Sequence, residues 1–353
     1  MSWTTHLSRG AAALCLSLTA LGAQGATAYS NMYVFGDSLS DSGNDLLLTN
    51  GVPSPLFYSD DNNNQGRFTN GLNYVDRLAA NFGLSLAPSV AGGTNYAHGG
   101  ARTDSIWDGL RALGGLDFNA QIGAYLDNLK VSGAAGDPNA LYVLWIGSND
   151  MADAFAGDPN AVPGAIQDTV LDIAGALGAL QTAGARNFLI GNLPDLSLTP
   201  LERGSAVFNS KGDPQVEADI LQGLHQGSAL FNAALSGYLP FFTLPSSTVT
   251  LFDAFSLQTA MTTDPTAYGL TNVTAPCYDG EVDGSPALGK TTARECPNEN
   301  EYLYYDMLHP TTTLHDWAAR TIYAQLVPEP AGWALTLTAL GLMGFMGRRR
   351  ARS

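Results

Sequence analysis

Short, unbroken apolar runs alternate along this chain with longer stretches in which apolar positions recur at helical spacing. Met32–Phe35, Leu141–Ile146, Asn187–Ile190 and Val249–Phe252 are runs of the first kind. Lacking polar alternation, they read as strands covered on both faces. The helical stretches are Leu72–Phe82, with Asn70 as its expected N-cap, then Ile166–Ala183, Val216–Leu239 and Thr312–Leu326. In the third, Ile220, Leu221, Leu224, Leu230, Phe231 and Leu235 repeat at intervals that build one apolar face. Strand and helix in regular succession predict an α/β fold with a mostly parallel sheet and helices on both faces. Ligand sites in such sheets lie beyond the C-terminal strand ends. Ser38, Asn149 and Asn192 all fall just past such ends.

Both termini depart from this pattern. Residues 1–28 begin polar with Arg9, continue through the apolar run Ala11–Leu21, and end with Ala26 and Ala28 in an A-x-A arrangement. This is the pattern of a secretory signal peptide cut after Ala28. At the other end Ala331–Gly347 is apolar and about long enough to cross a bilayer, and Arg348, Arg349 and Arg350 follow it. With Val327-Pro328-Glu329-Pro330 ahead of it, the tail resembles the PEP-CTERM sorting signal of Gram-negative bacteria. That resemblance implies export, membrane insertion by the tail and its removal by an exosortase-type enzyme. A permanent C-terminal anchor is the alternative. The expected organisation is thus a leader over 1–28, one catalytic domain over 29–327 and a sorting tail over 328–353. The product would stand outside the inner membrane, secreted or at the cell surface.

Charge narrows the partners. Of 16 basic and 32 acidic side chains, one arginine precedes residue 29, and four arginines and one glutamate follow residue 327. The central region therefore carries 11 basic and 31 acidic groups, a net charge near −20. Such a surface repels phosphate backbones, so no nucleic-acid partner is expected. Cys15 falls in the leader, leaving Cys277 and Cys296 as an even pair in an exported chain. A disulfide is expected. A two-cysteine metal site would need further ligands, and no histidine follows either cysteine until His309.

The candidate chemistry begins at "VFGDSLSDSGN", Val34–Asn44, where Ser38 follows a strand and a tight turn. Serine hydrolysis needs such a nucleophile, a base within reach and preorganised donors for an oxyanion. Outside the leader the histidines are His98, His225, His309 and His315. In "YYDMLHPTTTLHDW", Asp306 precedes His309 by three residues, a spacing that can aim both side chains at one cleft. His315 lies inside a helical pattern and reads as a surface or packing residue. "NYAHGGAR" supplies Gly99 and Gly100, and "LWIGSND" supplies Asn149 after a strand.

Together "FGDSLSDSGN", "NYAHGGA", "WIGSND" and "DMLHPT" resemble, in order, the blocks of the GDSL/SGNH hydrolases. "GRFTNGLNYVDRLA" and "GNLPDLSLTP" are similar to the lipase and esterase branch of that family. The resemblance spans about residues 31–326. It implies a three-layer α/β/α sandwich with a flavodoxin-like sheet. It also implies Ser38, Asp306 and His309 as a catalytic triad, with Ser38, Gly100 and Asn149 lining the oxyanion hole. Asp37 corresponds to a structural turn residue. No serine has glycine at both flanking second positions, which argues against the nucleophile elbow of the α/β-hydrolases.

No metal or cofactor is expected. In "DGEVDG", Asp279–Gly284, position 12 of a calcium loop would be Lys290, and "DDNNN", Asp60–Asn64, puts Gln65 in the glycine slot. Neither a phosphate-binding glycine loop nor a dinucleotide fingerprint occurs. The expected activity is cleavage of acyl esters, of lipids or of acylated glycans. Removal of O-acetyl groups from extracellular polysaccharide is one alternative, and a non-catalytic surface binding protein on the same fold is another. Trp107, Trp145, Tyr304 and Tyr305 near strand ends suit either kind of ester.

Overall fold

The computed structural model describes residues 29–49, 66–278 and 296–327. The expected leader and apolar tail, and both acidic stretches weighed for calcium, lie outside these residues. Among the described residues no helix is long and apolar enough to cross a membrane.

The elements run β1 Met32–Gly36, α1 Asn44–Leu48, α2 Tyr74–Asn81, α3 Asp108–Leu113, α4 Phe118–Ser132, β2 Leu141–Trp145, α5 Ser148–Ala156, α6 Val162–Ala183 and β3 Asn187–Gly191. They continue with α7 Pro200–Ser210, α8 Pro214–Phe242, β4 Thr248–Phe252, α9 Ala254–Thr263, β5 Asn272–Pro276, β6 Tyr302–Tyr304 and α10 Thr312–Leu326. β1 to β4 form one parallel sheet in that order, in register from Met32↔Leu141 to Gly191↔Phe252. The four expected strands and four expected helices are all present. The sequence pattern does not predict α1, α3, α4, α5, α7 and α9 or the strands β5 and β6, because their apolar spacing is broken by polar and small residues.

Alternation along the strands divides the core. Phe35 of β1 and Tyr142 of β2 pack on Tyr125 of α4, with ring centroids 5.7 and 5.9 Å away. On the opposite face Trp145 meets Tyr74 of α2 at 4.8 Å, and Tyr74 stacks on His315 of α10. Helices therefore cover both faces, a three-layer α/β/α arrangement. Gly36 ends β1 where a Cβ would come within 2.3 Å of the Trp145 carbonyl oxygen, so no other residue fits there.

Residues 94–96 shape the site. Val34 donates to the Thr94 carbonyl and Tyr96 donates to that of Val34, so this segment runs parallel along the free edge of β1. Counted as a short strand, it makes the spatial order 2-1-3-4-5, in which the chain leaves β1 to one side and later returns to the other. The crevice of a flavodoxin-like sheet opens at that switch point, between the ends of β1 and its next neighbour, here β2.

Two expectations need correction. Asn70 does not cap α2. Asn73 does so, in a capping box with Asp76. The Asn70 side chain instead accepts from the Thr312 amide and so caps α10, more than two hundred residues later in the chain. Asn192 follows β3 but does not border the crevice. Its amide donates to Asp253, and its oxygen accepts from Ala254 N–H, which ties β3 to the start of α9.

Candidate active site

The eight residues after β1 are almost entirely committed to structure. Asp37 Oδ1 accepts from Leu39 N–H, and Ser40 pairs with the Tyr74 hydroxyl at 2.8 Å. Asp41 Oδ1 takes the N–H groups of Gly43 and Asn44, both at 2.7 Å. Asn44 donates to the carbonyls of Asn95 and Ala97, while Asn95 donates back to the Ser40 carbonyl and Ser42 Oγ. This network stitches the turn to the segment on the edge of β1. Ser38 is not consumed by it. Its Oγ lies 2.8 Å from His309 Nε2.

His309 stands on the loop between β6 and α10. Its Nδ1 is 2.7 Å from Asp306 Oδ2, and Asp306 Oδ1 accepts from the backbone N–H groups of Leu308 and His309. The carboxylate is thereby held by three donors and is fully buried. Behind the loop, residues 66–71 act as a brace. The Phe68 ring lies 5.2 Å from the His309 ring, and Thr69 donates to the Pro310 carbonyl. The disulfide between Cys277 and Cys296 closes the far side, linking the end of β5 to the approach to β6. Nothing in the sequence pattern announced Phe68 as a partner of His309. Only its place in the "GRFTNG" block hinted at importance.

Three candidate donors lie beyond three adjacent strand ends. The backbone N–H groups of Ser38 and Gly100 find no acceptor among the described residues. Asn149 Nδ2 gives one hydrogen to the Ala101 carbonyl at 2.9 Å and keeps a second. Gly100 has φ +70°, and a Cβ there would press on the Trp107 ring, so glycine suits both the turn and the packing. Ser38 and Asn149 border a cavity of about 380 Å³, and Gly100 does not. Arg102 and Asp153 stand at one side of this cavity, and Trp145, Leu196, Phe252, Leu257 and Leu308 contribute an apolar wall. Tyr305 is turned away, buried against Cys277.

Burial controls the titratable groups. It pushes the Asp37 carboxyl up to about 7, against the opposing pull of the Leu39 amide and His309. Asp37 Oδ2 meets no partner among the described residues. Burial likewise drives His315 down to about 3, so its imidazole stays neutral and Nδ1 accepts from the Tyr74 amide. His315 is therefore a packing residue inside the protein and not a surface one.

Because Asp37 titrates higher folded than unfolded, the native state keeps a proton that the unfolded chain loses between about pH 4 and 7. Its contribution to stability is full below that window and is lost as pH rises through it. Asp37→Asn removes the linkage. Its melting temperature relative to wild type, followed by calorimetry, should therefore improve as pH is raised from about 4 to 8. A difference independent of pH would contradict the raised value.

The sheet order, the crevice at its switch point and the Ser–His–Asp line define an α/β protein built like a hydrolase. The match to known proteins agrees. The model of the GDSL-like lipase/acylhydrolase family matches residues 32–322, and the chain belongs to that family; it is a carboxylic ester hydrolase. It is 29% identical over 358 aligned positions to a GDSL esterase/lipase of Arabidopsis thaliana, covering 88% of this chain and 89% of that one. It is 25% identical to the phosphatidylcholine-sterol acyltransferase of Aeromonas hydrophila, over 85% of this chain and 91% of that one. Esterase EstA of Pseudomonas aeruginosa is 30% identical over 93% of this chain, which spans 51% of that longer protein.

Proposed function

We propose that this protein is an exported serine esterase that cleaves acyl esters through an acyl-enzyme on Ser38. The observation that carries the reading is the unbroken line Ser38 Oγ, His309 Nε2, His309 Nδ1, Asp306 Oδ2, with both contacts at hydrogen-bond distance. His309 takes the Ser38 proton as Oγ attacks the ester carbonyl, then returns it to the leaving alcohol. Asp306 holds the tautomer that leaves Nε2 free to accept, and balances the imidazolium that forms. The unpartnered N–H groups of Ser38 and Gly100 and the second hydrogen of Asn149 receive the developing oxyanion. Water then repeats the sequence on the acyl-enzyme.

The apolar wall supports acyl chains longer than acetyl as the preferred substrate. Export and processing rest on the two termini. The leader pattern of residues 1–28 and the motif, apolar run and arginines of the tail support passage through the inner membrane and handling by an exosortase-type enzyme.

Hydrolysis of p-nitrophenyl esters from acetate to palmitate tests this reading. The expected profile rises beyond acetate and depends on Ser38. A maximum at acetate with a steep fall would redirect the reading to deacetylation, and no Ser38-dependent turnover would end it. In the same assay Asn149→Ala should lower kcat by on the order of 10²–10³, as loss of one oxyanion donor does elsewhere. An effect near unity would remove Asn149 from the hole.

A further inference from the structure

Tyr304 closes β6 and is 1% exposed, yet it borders the cavity. Its hydroxyl is oriented by a short chain of hydrogen bonds. The Asp195 backbone N–H donates to Gln258 Oε1 at 2.6 Å. An N–H can only donate, so that contact decides which end of the Gln258 amide is oxygen. Gln258 Nε2 is then the group facing Tyr304 Oη, and it donates across 2.8 Å. Asp195 is itself anchored, because its carboxylate accepts from Ser197 and pairs with His225 Nδ1 at 2.6 Å.

In this arrangement the tyrosine oxygen is the acceptor, so its own hydrogen must point elsewhere. No acceptor for it lies within hydrogen-bond distance among the described residues. Buried hydroxyls without an acceptor are uncommon, because leaving one unmade costs more than a made bond contributes. Burial raises the Tyr304 pKa, so the phenol keeps its proton across the neutral range. Among the residues lining the same cavity, Phe252, Ala254 and Leu257 are apolar.

We infer that Tyr304 is a specificity-determining donor, selecting esters that carry an acceptor oxygen (hydroxyl, ether or second carbonyl) away from the scissile bond. The inference deepens, and rests on, the Ser38-centred reading. A substrate oxygen beside Tyr304 accepts from the hydroxyl, whereas a methylene leaves the hydroxyl bare.

The oxygen could belong to the acyl part or to the alcohol part, and two substrate pairs separate these sources. One pair is an ω-methoxyacyl p-nitrophenyl ester and the plain acyl ester of equal chain length. The other is glucose monoacetate and cyclohexyl acetate. The readout is the ratio of kcat/KM within each pair, in which general damage to the enzyme cancels.

The full-length protein should prefer the oxygenated member of one pair by about tenfold or more, and Tyr304→Phe should bring that ratio close to one. Gln258→Leu, which frees the hydroxyl to turn away, should weaken it as well. The two compounds of each pair are also offered as ligands to Ser38→Ala, whose melting temperature reports binding without turnover. A preference there shows the donor at work even if hydrolysis itself fails, so failure of the esterase reading is separable. Ratios near one in both pairs for wild type, or a preference that persists in Tyr304→Phe, would overturn the assignment.

Discussion

Ser38→Ala should lower kcat/KM for any ester the protein cleaves by on the order of 10⁴–10⁶, with the melting temperature unchanged. The size follows from how a hydrogen-bonded nucleophile and base act as one unit, so that removing the nucleophile forfeits nearly all of their joint effect. What remains would be the oxyanion donors and the cavity, still able to bind but not to form an acyl-enzyme. Stability is spared because the surrounding turn is held by Asp37, Ser40, Asp41 and Asn44, none of which depends on Ser38 Oγ. Burst kinetics with a p-nitrophenyl ester would check the point directly. The wild type should release one equivalent of nitrophenol per site in a fast phase, and the variant none. A variant retaining more than a few per cent of wild-type activity would move the nucleophile elsewhere.

Asp306→Asn should cost almost as much, about 10⁴ in kcat, while leaving KM within a few-fold. Asp306 Oδ1 already takes two backbone N–H groups, so in the variant that position must stay oxygen. The new NH₂ group is then forced to face His309 Nδ1, where only a hydrogen acceptor can meet it. The imidazole must carry its proton on Nε2 and point it at Ser38, the wrong tautomer for a base. Because the substitution is nearly isosteric in a fully buried site, the fold should persist. The diagnostic measurement is the pH profile. Activity in Asp306→Asn should recover in strongly alkaline buffer as a different base takes over, whereas a merely misfolded variant would not recover. A loss below tenfold at neutral pH would remove Asp306 from the line.

Much of this site was legible before the structure because its informative features are local. An apolar run followed at once by Gly36-Asp37-Ser38 reads as a strand delivering a residue to its end, and Asp306 and His309 are only three positions apart. Asn149 was visible for the same reason, one turn beyond β2. The errors were also local in origin. Asn70 precedes a helical pattern and was assigned to it, yet Asn73, nearer the first turn, won that position. Asn70 was then free for a helix start that only the folded chain brings near. His315 reads from the sequence as either a surface or a packing residue of its helix. Burial against Tyr74 depends on which face α10 turns to the sheet, and periodicity alone did not decide that. Asn192 sits where a ligand-facing residue belongs, but β4 lies beside β3 and claims its side chain.

The sequence by itself determined the alternation of buried strands and helices, the turn that bears Ser38 at a strand end, and the pairing of Asp306 with His309. All of these follow from preferences that act over a few residues. Only the tertiary structure decided that His309 meets Ser38 across 271 positions. It alone showed that residues 94–96 flank β1 and so open the crevice between β1 and β2, and that Tyr304 borders the cavity. The reason is that hydrogen-bond partners and cavity walls depend on strand order and on which helix covers which face. Those are set by the sum of long-range packing, which no short window of sequence contains.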